Sequence, residues 1–155
     1  MRTLTPLTRQ RGLALVETAI TLPFLLFVMF AATEFTNAFV THTTLTKAVR
    51  DGARWAAEEA KNKNTGVWEL DNALKDDTRN LVVYGNRAGS PAVPVVNGLN
   101  VTHVSVNRLG TSENIDVSVT YPYSGMLGSV LPTFGYGSNI ALLFNMSATV
   151  TMRAL

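Results

Sequence analysis

The chain contains no cysteine, which excludes disulfide bonds and cysteine-ligated metal sites. Histidine is scarce as well, because His42 and His103 are the only two in 155 residues. His42 falls within a predicted helix and His103 at the start of a predicted strand, so both are interpreted as structural or surface residues. Hydrolase-elbow and phosphate-loop motifs are also missing. Without a nucleophile–base set or a metal cluster, the sequence predicts a protein that is not an enzyme and has no cofactor and no bound metal.

Charged residues are almost missing from a long stretch near the N-terminus. Between Leu13 and Ala32 the only ionisable side chain is that of Glu17. Twenty helical residues at about 1.5 Å each reach roughly 30 Å, the thickness of a bilayer core. The stretch therefore predicts a transmembrane helix rather than a helix buried in a soluble core. Pro23 lies inside it, and because membrane helices tolerate proline, often with a kink, we predict a kink there.

The basic residues that precede this stretch predict its orientation. Three of the 13 Lys and Arg residues (Arg2, Arg9 and Arg11) come before it without an acid, so the first residues are expected to stay cytoplasmic. This leaves 10 basic against 11 acidic residues, so the exported part has no basic excess that would indicate nucleic-acid binding. The predicted organisation is a cytoplasmic leader at 1–12, a transmembrane helix at 13–34 and an exported domain at 35–155.

Two helices are predicted beyond the membrane. The first continues the transmembrane helix and ends at Asn62–Gly66, where Gly66 is a suitable stop. Its apolar face is predicted from helical spacing at Phe35, Phe39, Val49, Ala53, Ala56 and Ala60. The second helix is predicted at Glu69–Tyr84, with inward side chains at Leu70, Ala73, Leu74, Leu81 and Val82.

Apolar residues then alternate with a period of two, which predicts strands. Alternation covers Val104–Val106, five odd positions from Ile115 to Tyr123, and seven even positions from Ile140 to Met152. A Gly- and Pro-rich loop separates the last two segments. The pattern predicts an α+β fold, in which a long N-terminal helix and a second short helix accompany an about three-stranded antiparallel sheet with one buried face.

The junction between the leader and the apolar stretch carries the most informative motif, RGLALVE at 11–17. Gly12 separates the basic leader from the helix, and its flexible backbone suits a peptidase that works at the membrane surface. Glu17 is the fifth residue after it, although a carboxylate costs about 2.5–3.5 kcal/mol at the centre of a membrane and less near its edge. If Leu13 becomes a new N-terminus, its ammonium group supplies a countercharge, and in a polymer that group could belong to a neighbouring subunit. The alternative is a Glu17 side chain that only reaches back to the interface.

The motif resembles a class III prepilin signal, and the wider segment RGLALVETAITLPFLLFVMFAATEF resembles a TadE-like protein, a pseudopilin of the tight adherence (Tad, type IVc) pilus system. Looser similarity continues in KAVRDGARWAA, NLVVYGN and SATVTMRAL. The major pilins of that system are little more than the helix, whereas this chain has over a hundred residues after it. The resemblance therefore favours a minor pilin or pseudopilin.

The resemblance implies a pilin-like fold and a set of roles and partners. Prepilin peptidase would cut between Gly12 and Leu13, and Glu17 would be the assembly carboxylate. The partners would be that peptidase, other Tad pilins and pseudopilins, the inner-membrane assembly platform and the lipid bilayer. The protein would cross the bacterial inner membrane once with its C-terminal domain in the periplasm, or enter an extracellular pilus, and would support adhesion and biofilm formation.

A second hypothesis is an uncleaved, single-pass periplasmic binding module. It would need the loops Gly85–Pro94 and Ser124–Ser138 to hold a ligand. Four aromatic residues near the second loop could instead form an exposed patch that anchors a partner, although packing in the core and loops is the favoured interpretation. These residues are Tyr121, Tyr123, Phe134 and Tyr136.

Overall fold

The computed structural model describes residues 7–61, 68–89, 92–110 and 113–154. Within these ranges the elements are two helices, five strands and a short 3₁₀ turn at Val101–His103. The helices are α1 (Leu7–Glu59) and α2 (Asn72–Tyr84), and the strands are β1 (Val104–Arg108), β2 (Asn114–Tyr123), β3 (Val130–Leu131), β4 (Ile140–Ala141) and β5 (Phe144–Arg153). The predicted α+β fold is confirmed, since β1, β2 and β5 form a three-stranded antiparallel sheet in the order β1-β2-β5.

The chain divides into two compact units. The helical unit combines α1 up to Asn37 with the segment 124–143, which includes β3 and β4. The sheet unit combines Ala38–Tyr123 with the chain from Phe144 onward. The segment 124–143 joins β2 to β5 in the sequence, and we call it the excursion.

The sheet unit is built on alternating side chains. Every odd position of β2 from Ile115 to Tyr123 is buried, as the sequence predicted. Val117 is paired with Val106 on β1 and with Val150 on β5, so apolar side chains meet across the strands on one face. The strand patterns at β1 and β2 are therefore confirmed by register as well as by burial.

Helix α1 supplies the other half of this core. Leu45, Val49, Ala53 and Ala56 are fully buried in the sheet unit, and Ala60 is 1% exposed. Four of the six positions predicted for this face are confirmed. The prediction was wrong for Phe35 and Phe39, which are 74% and 62% exposed. Both precede Leu45, the first buried residue of this face. Helical spacing predicts which side of a helix is apolar, but it does not predict where along the helix the packing begins.

Gly52 is a position where α1 and α2 approach each other closely. A Cβ built at Gly52 would lie 2.5 Å from Cγ2 of Val82, a fully buried and stiff side chain. We expect Gly52→Ala to lower the free energy of unfolding by about 1–3 kcal/mol, although alanine is the better helix former. Thermal unfolding of the full chain in detergent measures this. Gly52→Ala should lower the free energy of unfolding less in a Val82→Ala protein than in the wild type, because the shorter side chain leaves room for the new Cβ. A Gly52→Ala variant more stable than the wild type would contradict the close approach.

Helix α2 begins three residues later than predicted. The Asp71 carboxylate accepts the N–H of Leu74 at 2.7 Å and caps the first turn, so Glu69–Asp71 lie outside the helix. The helix ends as predicted at Tyr84, where Gly85 takes the left-handed conformation (φ 69°) and donates its N–H to the Leu81 carbonyl. Its buried residues are Leu74, Thr78, Val82 and Val83. Ala73 is exposed rather than inward, which corrects that part of the predicted face.

The third strand of the sheet is shorter than its sequence pattern. Alternation predicted one strand from Ile140 to Met152, but β5 begins at Phe144. Ile140 lies instead in β4, opposite Leu131 of β3, and the N–H of Leu142 donates to the Ser129 carbonyl at 2.8 Å. The alternation continues from β4 into β5 because the apolar residues of both strands stand at even positions. The predicted stop of α1 at Asn62–Gly66 lies outside the described residues, and α1 itself ends at Glu59.

Candidate assembly site on the N-terminal helix

The motif residues Gly12, Leu13 and Glu17 all lie within α1, which already begins at Leu7. Nothing lies within 4 Å of a Cβ built at Gly12, and Leu13 is 74% exposed. The bond between them is therefore uncrowded but helical, rather than extended. A peptidase would have to unwind this turn, and glycine makes that cheaper by about 1 kcal/mol than alanine would.

The Glu17 side chain is exposed on the helix surface. Among the residues that the structure describes, no side chain forms an ion pair with it, and Thr21 donates its hydroxyl to the Glu17 main-chain carbonyl at 2.9 Å. Glu17 lies four positions after Leu13, a rise of about 6 Å along the helix. The carboxylate is therefore open to a cation supplied by another molecule.

Pro23 sits in the interior of α1, and the helix continues through it without a break. Because proline has no N–H, the Ala19 carbonyl loses its normal donor. The nearby Thr18 and Thr21 hydroxyls do not take its place, since they donate to the carbonyls of Ala14 and Glu17 at 2.8 and 2.9 Å. Whether α1 is kinked at Pro23 stays a prediction.

The surface of this part of α1 is apolar. Within the described ranges, α1 is the one helix that is long and apolar enough to cross a membrane, and none of its most apolar window is buried in the protein. The side chains that face outward are those of Leu13, Leu15, Val16, Ile20, Leu22, Phe24, Leu25, Val28 and Met29. Length and composition thus agree with a membrane anchor.

The excursion packs against this same stretch of helix within the helical unit. The rings of Phe134 and Phe30 are stacked with centroids 5.9 Å apart, and those of Tyr136 and Phe24 meet edge to face at 6.3 Å. The Tyr136 hydroxyl donates to the main-chain carbonyl of Ile20 at 2.7 Å. A segment that the sequence placed in an exported loop is therefore in contact with the predicted transmembrane helix.

Glu34 fixes the other end of the excursion, and sequence reasoning did not single it out. Its carboxylate, in a residue only 4% exposed, accepts the main-chain N–H groups of Met126 and Leu127 at 3.2 and 2.5 Å. Gly125 allows this approach, because a Cβ there would lie 3.0 Å from Oε2 of Glu34 and 2.6 Å from the Gly128 carbonyl oxygen. Charge-assisted hydrogen bonds of this kind are about twice as strong as neutral ones.

Comparison with known proteins identifies the segment that carries the motif. Residues 12–54 match the family model of the TadE-like proteins. This segment is TadE-like. The predicted resemblance is confirmed over these residues, which begin at Gly12 and include Leu13, Glu17, Pro23 and Glu34. Comparisons with curated proteins and with solved structures gave no match.

The histidines, possible metal clusters and surface depressions were the other candidate sites. His42 is exposed, and Nδ1 of His103 accepts the N–H of Asn100 at 3.2 Å, which agrees with surface and structural roles. Among the residues described, no cluster of His, Asp and Glu could hold a metal ion. In the sheet unit, an open depression of about 450 Å³ is lined by charges of both signs, including Glu59, Lys61 and Arg87.

The four aromatic residues do not form one exposed patch. Tyr121 and Tyr123 belong to the core of the sheet unit, at 7% and 3% exposure. Burial raises the pKa of Tyr121 above its ordinary value of 10.0, and its hydroxyl donates to the Asn97 carbonyl at 2.7 Å. Phe134 and Tyr136 pack on α1 through the excursion. Packing in the core is therefore confirmed for Tyr121 and Tyr123, whereas Phe134 and Tyr136 contact α1 and stay 41% and 55% exposed.

Proposed function

We propose that the protein is a minor pilin or pseudopilin of a Tad (type IVc) pilus, held in the bacterial inner membrane by α1. The observation that carries this is the TadE-like match, which starts at Gly12 and covers the whole apolar part of the helix. Its size supports a minor role, because more than a hundred residues follow the span and would have to be accommodated around a fibre. Adhesion and biofilm formation would follow from the pilus.

Processing at Gly12 is part of this proposal. Prepilin peptidase removes the leader 1–12, and Leu13 becomes the N-terminal residue of the mature protein. The helical but uncrowded backbone at Gly12 supports this, since unwinding there disturbs no tertiary contact of that residue. The new ammonium group at Leu13 and the carboxylate of Glu17 then give each helix one positive and one negative group near its start.

Assembly follows from the surface of α1 rather than from catalysis. The exposed apolar side chains favour lipid or another apolar helix, and Glu17 favours the ammonium group of a neighbouring subunit. The partners are other Tad pilins and pseudopilins and the inner-membrane assembly platform. The protein acts through contacts alone, with the C-terminal domain on the periplasmic side of the membrane or on an extracellular pilus.

Deletion of the gene, followed by complementation, tests the proposed function. We expect the deletion strain to lose at least about nine-tenths of its surface pili in electron micrographs, and the full chain to restore them. Immunogold labelling of sheared pili with an antibody to the sheet unit then decides between a place in the fibre and a place in the membrane. Normal piliation and normal biofilm formation in the deletion strain would contradict the proposal.

A further inference from the structure

The excursion has the opposite polarity to an ordinary water-exposed loop. Residues 117–152 contain no charged side chain, and the excursion is the middle of this run. In β2 and β5 the apolar side chains of the run serve the sheet core, but in the excursion large apolar side chains face outward. Those at least 41% exposed are Met126, Leu127, Val130, Phe134, Tyr136, Ile140 and Leu143.

Polar groups of the excursion are instead satisfied within the helical unit. Thr133 is 5% exposed, donates its hydroxyl to the Gly137 carbonyl at 2.6 Å, and donates its N–H to Oδ1 of Asn139 at 3.3 Å. Strands β3 and β4 pair with each other, and Tyr136 and Glu34 provide the contacts with α1 described above. Irregular backbone survives at membrane depth only where its polar groups find protein partners, and the excursion meets that requirement at these positions.

The helix residues that hold the excursion lie on one side of the apolar stretch. Ile20, Phe24, Phe30 and Glu34 fall within an arc of about 120° at 100° per residue, and they span about 21 Å of helix. The contact at Ile20 is only about 10 Å along the helix from Leu13. If α1 spans the bilayer from Leu13 to Ala32, the tip of the excursion is at the depth of the hydrocarbon core.

We propose that the excursion is a second membrane-embedded element, which enters the bilayer beside the outer part of α1 and presents its apolar side chains to lipid. Contact with water would be unfavourable here because seven large apolar side chains would stay exposed to it. Lipid suits this surface because it belongs to the same unit as the apolar surface of the transmembrane helix, and because the polar groups of Thr133, Tyr136 and the β3–β4 pair have protein partners. The proposal rests on membrane insertion of α1, which belongs to the proposed function, and not on the pilus itself.

The absence of cysteine makes a site-specific test direct. Single cysteines are placed at Met126 and Ile140 in the excursion, at Leu25 on the transmembrane helix, and at Thr149 on β5, an exposed residue of the sheet unit. Each full-length variant is labelled with an environment-sensitive fluorophore and reconstituted at high dilution into vesicles of phosphatidylcholine and phosphatidylglycerol. Nitroxide-labelled lipids then quench probes in lipid, and aqueous iodide quenches probes in water.

We expect lipid quenching at Met126 and Ile140 to reach at least about half of that at Leu25, while the Thr149 probe responds only to iodide. Iodide quenching at Met126 and Ile140 would place the excursion in water and overturn the proposal. Resistance to both quenchers would mean that protein, such as a second copy of this chain, covers the surface, and would overturn it as well. An unquenched Leu25 probe would instead contradict membrane insertion of α1, so the two failures are distinguishable.

Glu34→Gln tests what holds the excursion in place. The variant keeps the size of the side chain but loses the charge and one acceptor oxygen, so Met126 and Leu127 can no longer both donate to a carboxylate. We expect lipid quenching at Met126 to fall at least about twofold. Glu58→Gln, at an exposed glutamate of the same helix that pairs with Arg54, is the matched control and should change nothing. Unchanged quenching in Glu34→Gln would overturn the positioning role assigned to Glu34.

Discussion

A Gly12→Val variant is expected to accumulate as the full-length precursor, with at least about a tenfold lower fraction of mature protein. Glycine lets a peptidase approach the main chain closely, and a branched Cβ removes that access and stiffens the residue. No atom lies within 4 Å of a Cβ built at Gly12, so valine introduces no clash within the protein. Mass spectrometry and N-terminal sequencing of the membrane fraction measure the two forms, whose first residues are Met1 and Leu13.

Two further variants sharpen this result. Gly12→Ala adds only a methyl group and favours the helix by about 1 kcal/mol, so an intermediate loss of processing is expected. Thr18→Val places the same branched side chain on an exposed turn of α1 beyond the cleavage bond and should be processed normally. Cells that lack the peptidase give the position of the unprocessed band. Wild-type levels of a mature Gly12→Val protein beginning at Leu13 would contradict the assignment of the cleavage site.

The same measurement on the unaltered protein distinguishes the two sequence hypotheses. A pseudopilin begins at Leu13 after export, whereas an uncleaved binding module keeps Met1. The binding hypothesis named the loop Gly85–Pro94 as part of a ligand site. Two described residues of this loop border depressions in the sheet unit, Gly85 one of about 220 Å³ and Arg87 the open one of about 450 Å³. A retained Met1 in cells that contain the peptidase would favour that hypothesis.

The elements that could be predicted from the sequence are those in which one face packs against the core, so that apolar residues recur with the period of the strand or helix. Odd positions of β2 are buried because a strand alternates its side chains, and Val49, Ala53, Ala56 and Ala60 are buried because a helix repeats every 3.6 residues. Boundaries were less accurate. The cap at Asp71 starts α2 and the β3–β4 pairing interrupts the third strand, and both depend on hydrogen bonds rather than on period.

The contacts of the excursion could not be predicted from local sequence pattern. Glu34 and Leu127 are 93 residues apart, and Tyr136 and Ile20 are 116 residues apart. A Gly- and Pro-rich segment signals a turn, but nothing in its spacing indicates which helix it packs against. Two signals were present, namely the uncharged run 117–152 and an acid two residues after the apolar stretch at Glu34. Each has ordinary explanations by itself, and only the fold brings them together.

Glu17→Gln is expected to lower pilus assembly at least about tenfold while leaving membrane insertion and cleavage intact. Glutamine keeps the size and a hydrogen-bonding end but removes the charge, so the Leu13 ammonium group of a neighbouring subunit would lose its partner in an apolar surrounding. Removing one member of such a buried pair costs about 3–5 kcal/mol, and each 1.4 kcal/mol is a factor of ten in an equilibrium. Counts of pili per cell and the amount of the protein that reaches sheared pili measure the loss.

The reason to expect this from Glu17 and not from other acids of α1 is its surroundings. Glu58 pairs with Arg54 at 3.0 Å on an exposed turn, where such a pair contributes about 0.3–0.5 kcal/mol, so Glu58→Gln should assemble normally. Glu17 has no ion-pair partner among the described residues, so its cost in a membrane is offset only when another molecule supplies a cation. Glu17→Asp keeps the charge on a shorter side chain and should assemble better than Glu17→Gln. Equal assembly by all three Glu17 forms would mean that the carboxylate only reaches back to the membrane surface, because a charge that stays in water gains nothing from a neighbouring subunit.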